Sequence, residues 1–393
     1  MNEVRNKRIA NLINKTLGKR VKQAKYSYSD IMLYWIYSNL CGAERLEDTV
    51  FLKSHLDSIP DLANPSPDRI SGIFRSLASP ITTISTNTGA EHEFSIHRPL
   101  NGLMIDVAKR LKTINGNVLD YDNVIIENEK FDSCWTYKKT KGYQPGVAFI
   151  GKTPVYIEAR NGNSPAVYKM KDTLKRCLQL LQEKEVPIKY FRSDSAAYQH
   201  DVIRLVEKHK IQFFIRANSS TRLRECVERI KKWEHVNHKG FEFDLGETNY
   251  IPFTVHSYSP KIYRAVVKRV LVDGKYHYYS ILTNNKTMST MEVLQFYNQR
   301  GAIERNFDDL KNNFNWKRIP FSFLNENLVF LIVSAIASIL YDYIIKKFSK
   351  KVDFVKRTFR LKNFIFHFIT ISSLWKNGKL KLFTDKNYEK IFE

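Results

Sequence analysis

The sequence predicts an α/β chain: a mixed sheet with helices packed on its faces, preceded by a helical region and interrupted by β-rich material. Three observations predict it. Up to about residue 100 the apolar residues fall mostly in helix-like segments, and from Asn117 they come in short β-branched or aromatic runs bounded by Gly and Pro. Those runs alternate with helical segments in the order β-β-β-α-β-α-β, which requires a sheet covered by helices. Further on, Asp273 and Gly274 stand between two strand-like runs as a two-residue hairpin signal.

Taken in order, residues 1–105 form the helical region. "IANLINKTLGKRVKQAKY" carries a dense basic face, "SDIMLYWIYSNL" opens on Ser29 as a cap, and the turn-rich "IPDLANPSPDRISGIF" offers Asp68 as the cap of a short helix. Residues 106–218 are the first part of the α/β domain. Its strands are "NVLDYDNVII", "PGVAFIG", "PVYIEAR", "IKYFRSD" and "IQFFIRAN", with helices near Ala166–Glu183 and Tyr198–His209. Residues 219–288 are a β-rich insertion containing "RAVVKRVLVDGKYHYYSILT". Residues 289–346 complete the domain, and 347–393 are a basic C-terminal region. The apolar run Leu328–Tyr341 ends at Asp342, short of the roughly 18 uncharged residues of a membrane span, and reads as a buried helix. No internal repeat is present.

The 393 residues are 43% hydrophobic, enough to fill sizeable cores. The 63 Lys and Arg against 40 Asp and Glu leave a net charge of +23, well beyond what solubility asks for. A polyanion is the natural partner. The basic residues are spread along the chain and interleaved with 21 Tyr and 25 Phe, which suits nucleic acid better than a membrane surface. A merely basic soluble protein is the plainer alternative. On the first reading, the helical region 1–105 binds DNA, although no particular helix-turn-helix stands out. Cys41, Cys134, Cys177 and Cys226 are scattered without CxxC spacing, against a zinc ribbon or a disulfide framework and in keeping with reduced cytosolic thiols. The basic N-terminus is not followed by an apolar signal core.

The stretch "YNQRGAIERNFDDLK" puts Tyr297, Arg300, Glu304 and Lys311 within an arc of roughly 60° if it forms one helix. Phe296, Ile303, Phe307, Leu310 and Phe314 make a neighbouring apolar stripe. Alone, Arg300 with Glu304 and Asp308 with Lys311 could be surface pairs, each contributing about 0.2–0.5 kcal/mol. Two further carboxylates fall in the sheet: Asp122 in "LDYDNV", and Asp194 at the end of "FRSD". Asp120 shares a face with Asp122 by period-two alternation, so either can serve. The plain alternatives are a turn role for Asp122 and a helix cap for Asp194. With Glu304, three carboxylates can converge on hard cations such as Mg²⁺, and two such ions can hold the attacking and leaving oxygens of a displacement at phosphorus.

The order Tyr, two residues, Arg, three residues, Glu, six residues, Lys resembles the YREK signature of prokaryotic insertion-sequence transposases of the DDE type. "LDYDNVII", "GYQPGVAF", "EARNGNSPA" and "RSDSAAY" resemble the segments around their first and second Asp, and relatives also carry a β-rich insertion before the Glu. The resemblance implies a ribonuclease H-like catalytic domain in which Asp122, Asp194 and Glu304 are the catalytic, metal-binding carboxylates. Tyr297, Arg300 and Lys311 would contact DNA phosphates. It further implies two Mg²⁺ ions, with Mn²⁺ as a substitute, and a cut-and-paste course, with a hairpin at the element's end as one route. Partners would be double-stranded DNA, both the element's terminal inverted repeats and target DNA, held by a homodimer in the prokaryotic cytoplasm at the nucleoid, with no membrane partner. The rivals are another ribonuclease H-like nuclease and a catalytically silent DNA-binding descendant. Val124 stands where many relatives have Thr, and Ala196 where they have Gly, which leaves Asp120 against Asp122 open; Asp308 is a weaker substitute for Glu304. Trp135 and Trp316 are read either as stacking platforms for an unpaired base or as packing residues. His200 and His209 read as surface or capping residues. The basic run from Lys346 to Asn363 reads equally as a grip on DNA backbone or as a solvated helix face.

Overall fold

The computed structural model describes residues 7–56, 62–238, 240–254 and 260–370, together with the strands Ser373–Lys376 and Lys379–Leu382. The opening of the turn-rich stretch, residues 59–61, and the basic C-terminal region beyond 382 lie outside the described residues.

Helix α1 (Ile9–Leu17) takes only half of the basic segment, because Gly18 turns the chain at φ 80°. Helix α2 (Tyr28–Leu40) is capped by Ser27, not Ser29. Ser27 stands three residues before Asp30, so the two close a reciprocal capping box, while Ser29 is buried inside the first turn and its Oγ accepts from Asn14. The short α3 (Lys53–Leu56) and α4 (Pro67–Ser76) follow. Ser66 holds the N-cap position of α4 and Pro67 opens it; Asp68, expected as the cap, lies in the first turn, where its charge still meets the helix dipole. A hairpin of β1 (Ile81–Ser85) and β2 (Glu91–Ser95) then leads into α5 (Arg98–Leu111), which runs through the boundary drawn at residue 105.

The expected strand and helix order appears next, with additions. Strand β3 (Val118–Asn123) is followed by three very short strands, β4 (Ile126–Glu127), β5 (Cys134–Trp135) and β6 (Lys141–Tyr143), paired as β4-β6-β5 in a small sheet of their own. Then come β7 (Gly146–Ile150), β8 (Thr153–Arg160), α6 (Met170–Glu183), β9 (Tyr190–Ser193), α7 (His200–Lys208) and β10 (Gln212–Arg216). After α8 (Thr221–Glu228), the β-rich stretch forms β11 (Glu234–His238), β12 (Phe241–Tyr250), β13 (Tyr263–Val272) and β14 (Lys275–Thr283). The turn between β13 and β14 is Asp273-Gly274, at φ 49° and 75°, the paired positive values that a right-twisted two-residue hairpin requires.

All of the longer strands belong to one eleven-stranded sheet, in the order β1-β2-β8-β7-β3-β9-β10-β14-β13-β12-β11. The pairs β3–β9 and β9–β10 are parallel and the other neighbours antiparallel. The β-rich stretch therefore extends the sheet through the β10–β14 pair. The chain finishes with α9 (Thr290–Asn298), α10 (Ala302–Asn313), α11 (Leu324–Lys351) and α12 (Leu361–Phe364). Helix α11 has 28 residues and would reach across a bilayer by length and composition, longer than the apolar run suggested. Yet 83% of its most apolar window is buried against α5, β8, α2 and α4. One continuous core joins it to Ile9, Trp35, Phe74 and Phe149.

Candidate active site

The site begins with strand register. In the parallel β3–β9 pair Tyr121 stands opposite Ser193, so the next step brings Asp122 and Asp194 side by side where both strands end. Strand β10 continues the row: Ile215 pairs with Ser193, and Arg216 follows. Three neighbouring central strands thus deliver two carboxylates and a guanidinium at their C-terminal ends. Asp194 Oδ1 accepts from the Ala196 N–H at 3.0 Å and caps a 3₁₀ turn over Ser195–Ala197. The capping role considered for it is real, and it coexists with a place in the cleft wall.

Asp122 Oδ1 accepts from the Asn123 N–H, and Oδ2 accepts from Arg300 Nη1 at 3.0 Å. Burial, and then the charge of Asp194, push the Asp122 carboxyl up to about 6 from its ordinary 3.8, against the opposing pull of Arg300. Burial raises the Tyr297 hydroxyl as well, with Arg300 opposing. Arg300 is itself partly buried, and Tyr297, Asp122 and Asp194 together outweigh that burial and secure its charge. Asp194, Ser195, Arg216, Tyr297, Arg300 and Gly301 line an open cleft of about 540 Å³.

Asp120 has a different task. Arg192 lies directly opposite it in register and donates from Nε and Nη2 to its two oxygens, both at 2.7 Å. Arg192 Nη1 also donates to the Phe296 carbonyl at 2.6 Å and reaches Gln299 Oε1 at 3.3 Å. This buried pair bolts the end of α9 to the sheet, and with it the segment that carries Tyr297 and Arg300. Sequence reasoning passed over Arg192 and Arg216. The available signal was Arg192 two residues before Asp194, on the same strand face, as Asp120 is to Asp122.

The expected single helix over Tyr297–Lys311 is two helices joined by a 3₁₀ turn, Gln299–Gly301. Three residues at about 120° each, instead of about 100°, rotate α10 by roughly 60° relative to α9. The apolar stripe divides there. Phe296 packs on Phe214 and Tyr190, whereas Ile303, Phe307, Leu310 and Phe314 join the core around α11. The polar stripe divides too: Tyr297 and Arg300 face the cleft, while Glu304 is exposed on the first turn of α10 and Lys311 lies about two turns further on. Among the described residues no three His, Cys, Asp or Glu side chains are grouped to hold one metal ion. Asp308 is committed elsewhere, its Oδ2 accepting from Arg360 at 2.8 Å. That contact returns part of the basic C-terminal run to the protein itself, as does Arg357 beside Asp342.

Trp316 is fully buried, so packing is its role, whereas Trp135 is 63% exposed. His200 opens α7 beside Asp201, and His209 closes that helix.

A family model described as "Transposase DDE domain group 1" matches residues 2–373. No curated protein matches this chain. Among solved structures, the chain is similar to a piggyBac transposase in a synaptic complex with hairpin DNA. The TM-score is 0.40 at 13% identity, over 92% of this chain and 76% of that one.

Proposed function

The chain belongs to the group 1 family of transposase DDE domains, and from that premise we propose that it cuts and joins DNA at the cleft where Asp122 and Asp194 meet. The proposed substrate is double-stranded DNA at the ends of a mobile element, moved by cut-and-paste and held by a homodimer in the cytoplasm of a prokaryotic cell. The proposed catalytic carboxylates are Asp122, Asp194 and Glu304, on a ribonuclease H-like sheet; Tyr297, Arg300 and Lys311 are the proposed phosphate contacts of a YREK helix. One observation carries the reading: two adjacent parallel strands bring Asp122 and Asp194 side by side, with burial and the charge of Asp194 raising the Asp122 carboxyl, at a cleft lined by Asp194, Arg216, Arg300 and Tyr297.

Asp122 and Asp194 offer only carboxylate oxygen, the donor type that Mg²⁺ takes and that Mn²⁺ shares, and their mutual repulsion is what a divalent cation relieves. Asp122, Asp194 and Glu304 would hold it; once bound, such ions polarise a phosphodiester and ease ionisation of water. The chain's own residues do the rest. Arg300 balances the carboxylate pair, and with Arg216 it presents fixed positive charge to phosphate oxygens. The Tyr297 hydroxyl, kept protonated by burial, donates a hydrogen bond. The Asp120–Arg192 pair holds these groups against the strand ends. Asp120 is thus spent on Arg192, which favours Asp122 as the first catalytic acid.

Glu304→Gln is expected to keep the parent's affinity for end DNA and to lose metal-dependent cleavage by at least about a hundredfold. Undiminished cleavage would remove Glu304 from the site. The exposure of Glu304, away from a three-acid group, favours a second reading, a DNA-binding descendant that no longer cuts. Parent protein that binds end DNA but cleaves none with Mg²⁺ or Mn²⁺ would establish it.

A further inference from the structure

The segment that leaves Asp122 does not run straight back into the sheet. It first builds the small β4-β6-β5 sheet, whose base is heavily tied down. The Tyr143 hydroxyl, fully buried, donates to Asp132, and Asp132 Oδ2 accepts from the Leu324 N–H at 2.7 Å at the start of α11. Asn161 Oδ1 accepts from the Cys134 N–H at 2.8 Å. The packing there is close enough that a Cβ on Gly162 would meet the Cys134 carbonyl at 2.3 Å.

From this rigid base the β5–β6 tip, "WTYKKTK" over Trp135–Lys141, projects with its own closure: the Thr136 N–H donates to the Thr140 carbonyl at 2.8 Å. Trp135 is 63% exposed and Tyr137 72%, and Lys138, Lys139 and Lys141 are exposed beside them. Lys141 Nζ lies 5.9 Å from the centre of the Trp135 ring. The tip contains no acidic residue. Two large rings on a well-anchored tip, both mostly exposed to water, mark a binding surface, and three lysines within seven residues select a polyanion.

The tip also has a place relative to the cleft. Lys138 and Lys317 bear electrostatically on Lys311, near the far end of α10, whereas Arg300 meets Asp122 just before its beginning.

We propose that the β5–β6 tip is a single-strand DNA contact, in which Trp135 and Tyr137 stack on unpaired bases and Lys138, Lys139 and Lys141 take the intervening phosphates. A phosphate cannot cover an aromatic face, and a base can. Paired bases hide their faces in the stack, so the rings select an unwound or displaced strand. The proposal takes DNA as the ligand from the function argued above but needs none of the carboxylate chemistry.

The test uses the full chain in EDTA, with a labelled sixteen-residue oligothymidylate and a blunt duplex of the same length, read by fluorescence anisotropy. Trp135→Ala with Tyr137→Ala is expected to weaken oligothymidylate binding on the order of tenfold or more, with less than a twofold change for the duplex and no change in salt slope. Trp135→Phe with Tyr137→Phe is expected to restore most of the loss. Replacing all three lysines by Gln is expected to flatten the single-strand salt slope by about 2. An alanine pair that binds the single strand like the parent, or loses single strand and duplex equally, overturns the stacking assignment. An unchanged slope in the Gln variant overturns the phosphate assignment. Because nothing is cleaved in EDTA, failure here is distinct from failure of the Glu304→Gln experiment.

Discussion

Asp122 meets the cleft through its bond from Arg300, and its protonation can be followed. In the folded protein its carboxyl sits at about 6 against an ordinary 3.8, through burial first and Asp194 second. The folded state therefore holds this proton more tightly than the unfolded chain does. That contribution favours folding in full below about pH 4 and is lost as the pH rises through about 6. Asp122→Asn removes the loss, so the variant is expected to be more stable than the parent at neutral pH, on the order of 2 kcal/mol, allowing for partial exposure and the Arg300 contact. It should also lack the corresponding fall in stability between about pH 4 and 6. Denaturant melts at several pH values read both; an unchanged pH slope would assign that fall to another acid. The placement of Asp122 and Asp194 near strand ends was legible, because β-branched runs and their period need only local sequence. The partnership of Asp120 with Arg192 was not, because it exists only through a cross-strand register that joins residues 72 positions apart.

At the scale of elements, the decisive joint is the 3₁₀ turn between α9 and α10. Periodicity treats Tyr297–Lys311 as one helix because its apolar and polar residues keep helical spacing throughout, and Gly301 is a far weaker break than a proline. The tertiary environment makes the break: Phe296 is drawn to Phe214 on one side while Ile303 and Phe307 are drawn under α11 on the other. Arg192 holds the near side of this joint by two bonds to Asp120 and one to the Phe296 carbonyl. Arg192→Met keeps the bulk but leaves Asp120 buried without its cation, and is expected to cost about 3 kcal/mol at neutral pH. The double variant with Asp120→Asn should recover at least half of that loss, since no charge is then stranded. Chemical denaturation of the four proteins measures the coupling; additive losses would mean that the pair does not work as a clamp. The β4-β6-β5 sheet escaped the sequence for a simpler reason. Strands of two or three residues are too short to show a period.

The whole molecule departs most from a reading by segments. Local patterns suggest a separate helical region before residue 106 and a β-rich insertion after 218, whereas long-range pairing merges both with the central sheet. Strands β11 to β14 extend it through β10, and the β1–β2 hairpin adds to its other edge through β8. Helix α11 explains why the first region does not stand apart. It is apolar on every side, and α2, α4 and α5 cover faces that the sheet leaves open, with Trp35 set against Phe330 and Phe74 against Phe321 beside it. A chain beginning at residue 106 would start within α5, lose β1 and β2 from the sheet edge, and expose much of a 28-residue apolar helix to water. At about 25 cal/mol per Å² of apolar surface, uncovering even about 400 Å² costs roughly 10 kcal/mol, as much as the whole stability of an ordinary domain. The full chain is therefore expected to unfold the 7–370 body in one cooperative thermal transition, and the chain from residue 106 to yield no soluble, cooperatively melting protein. Calorimetry and circular dichroism of the two decide it. A shortened chain with a sharp transition of its own would show that the helices before residue 106 form an independent domain resting on the sheet, and that α11 is covered by something other than them.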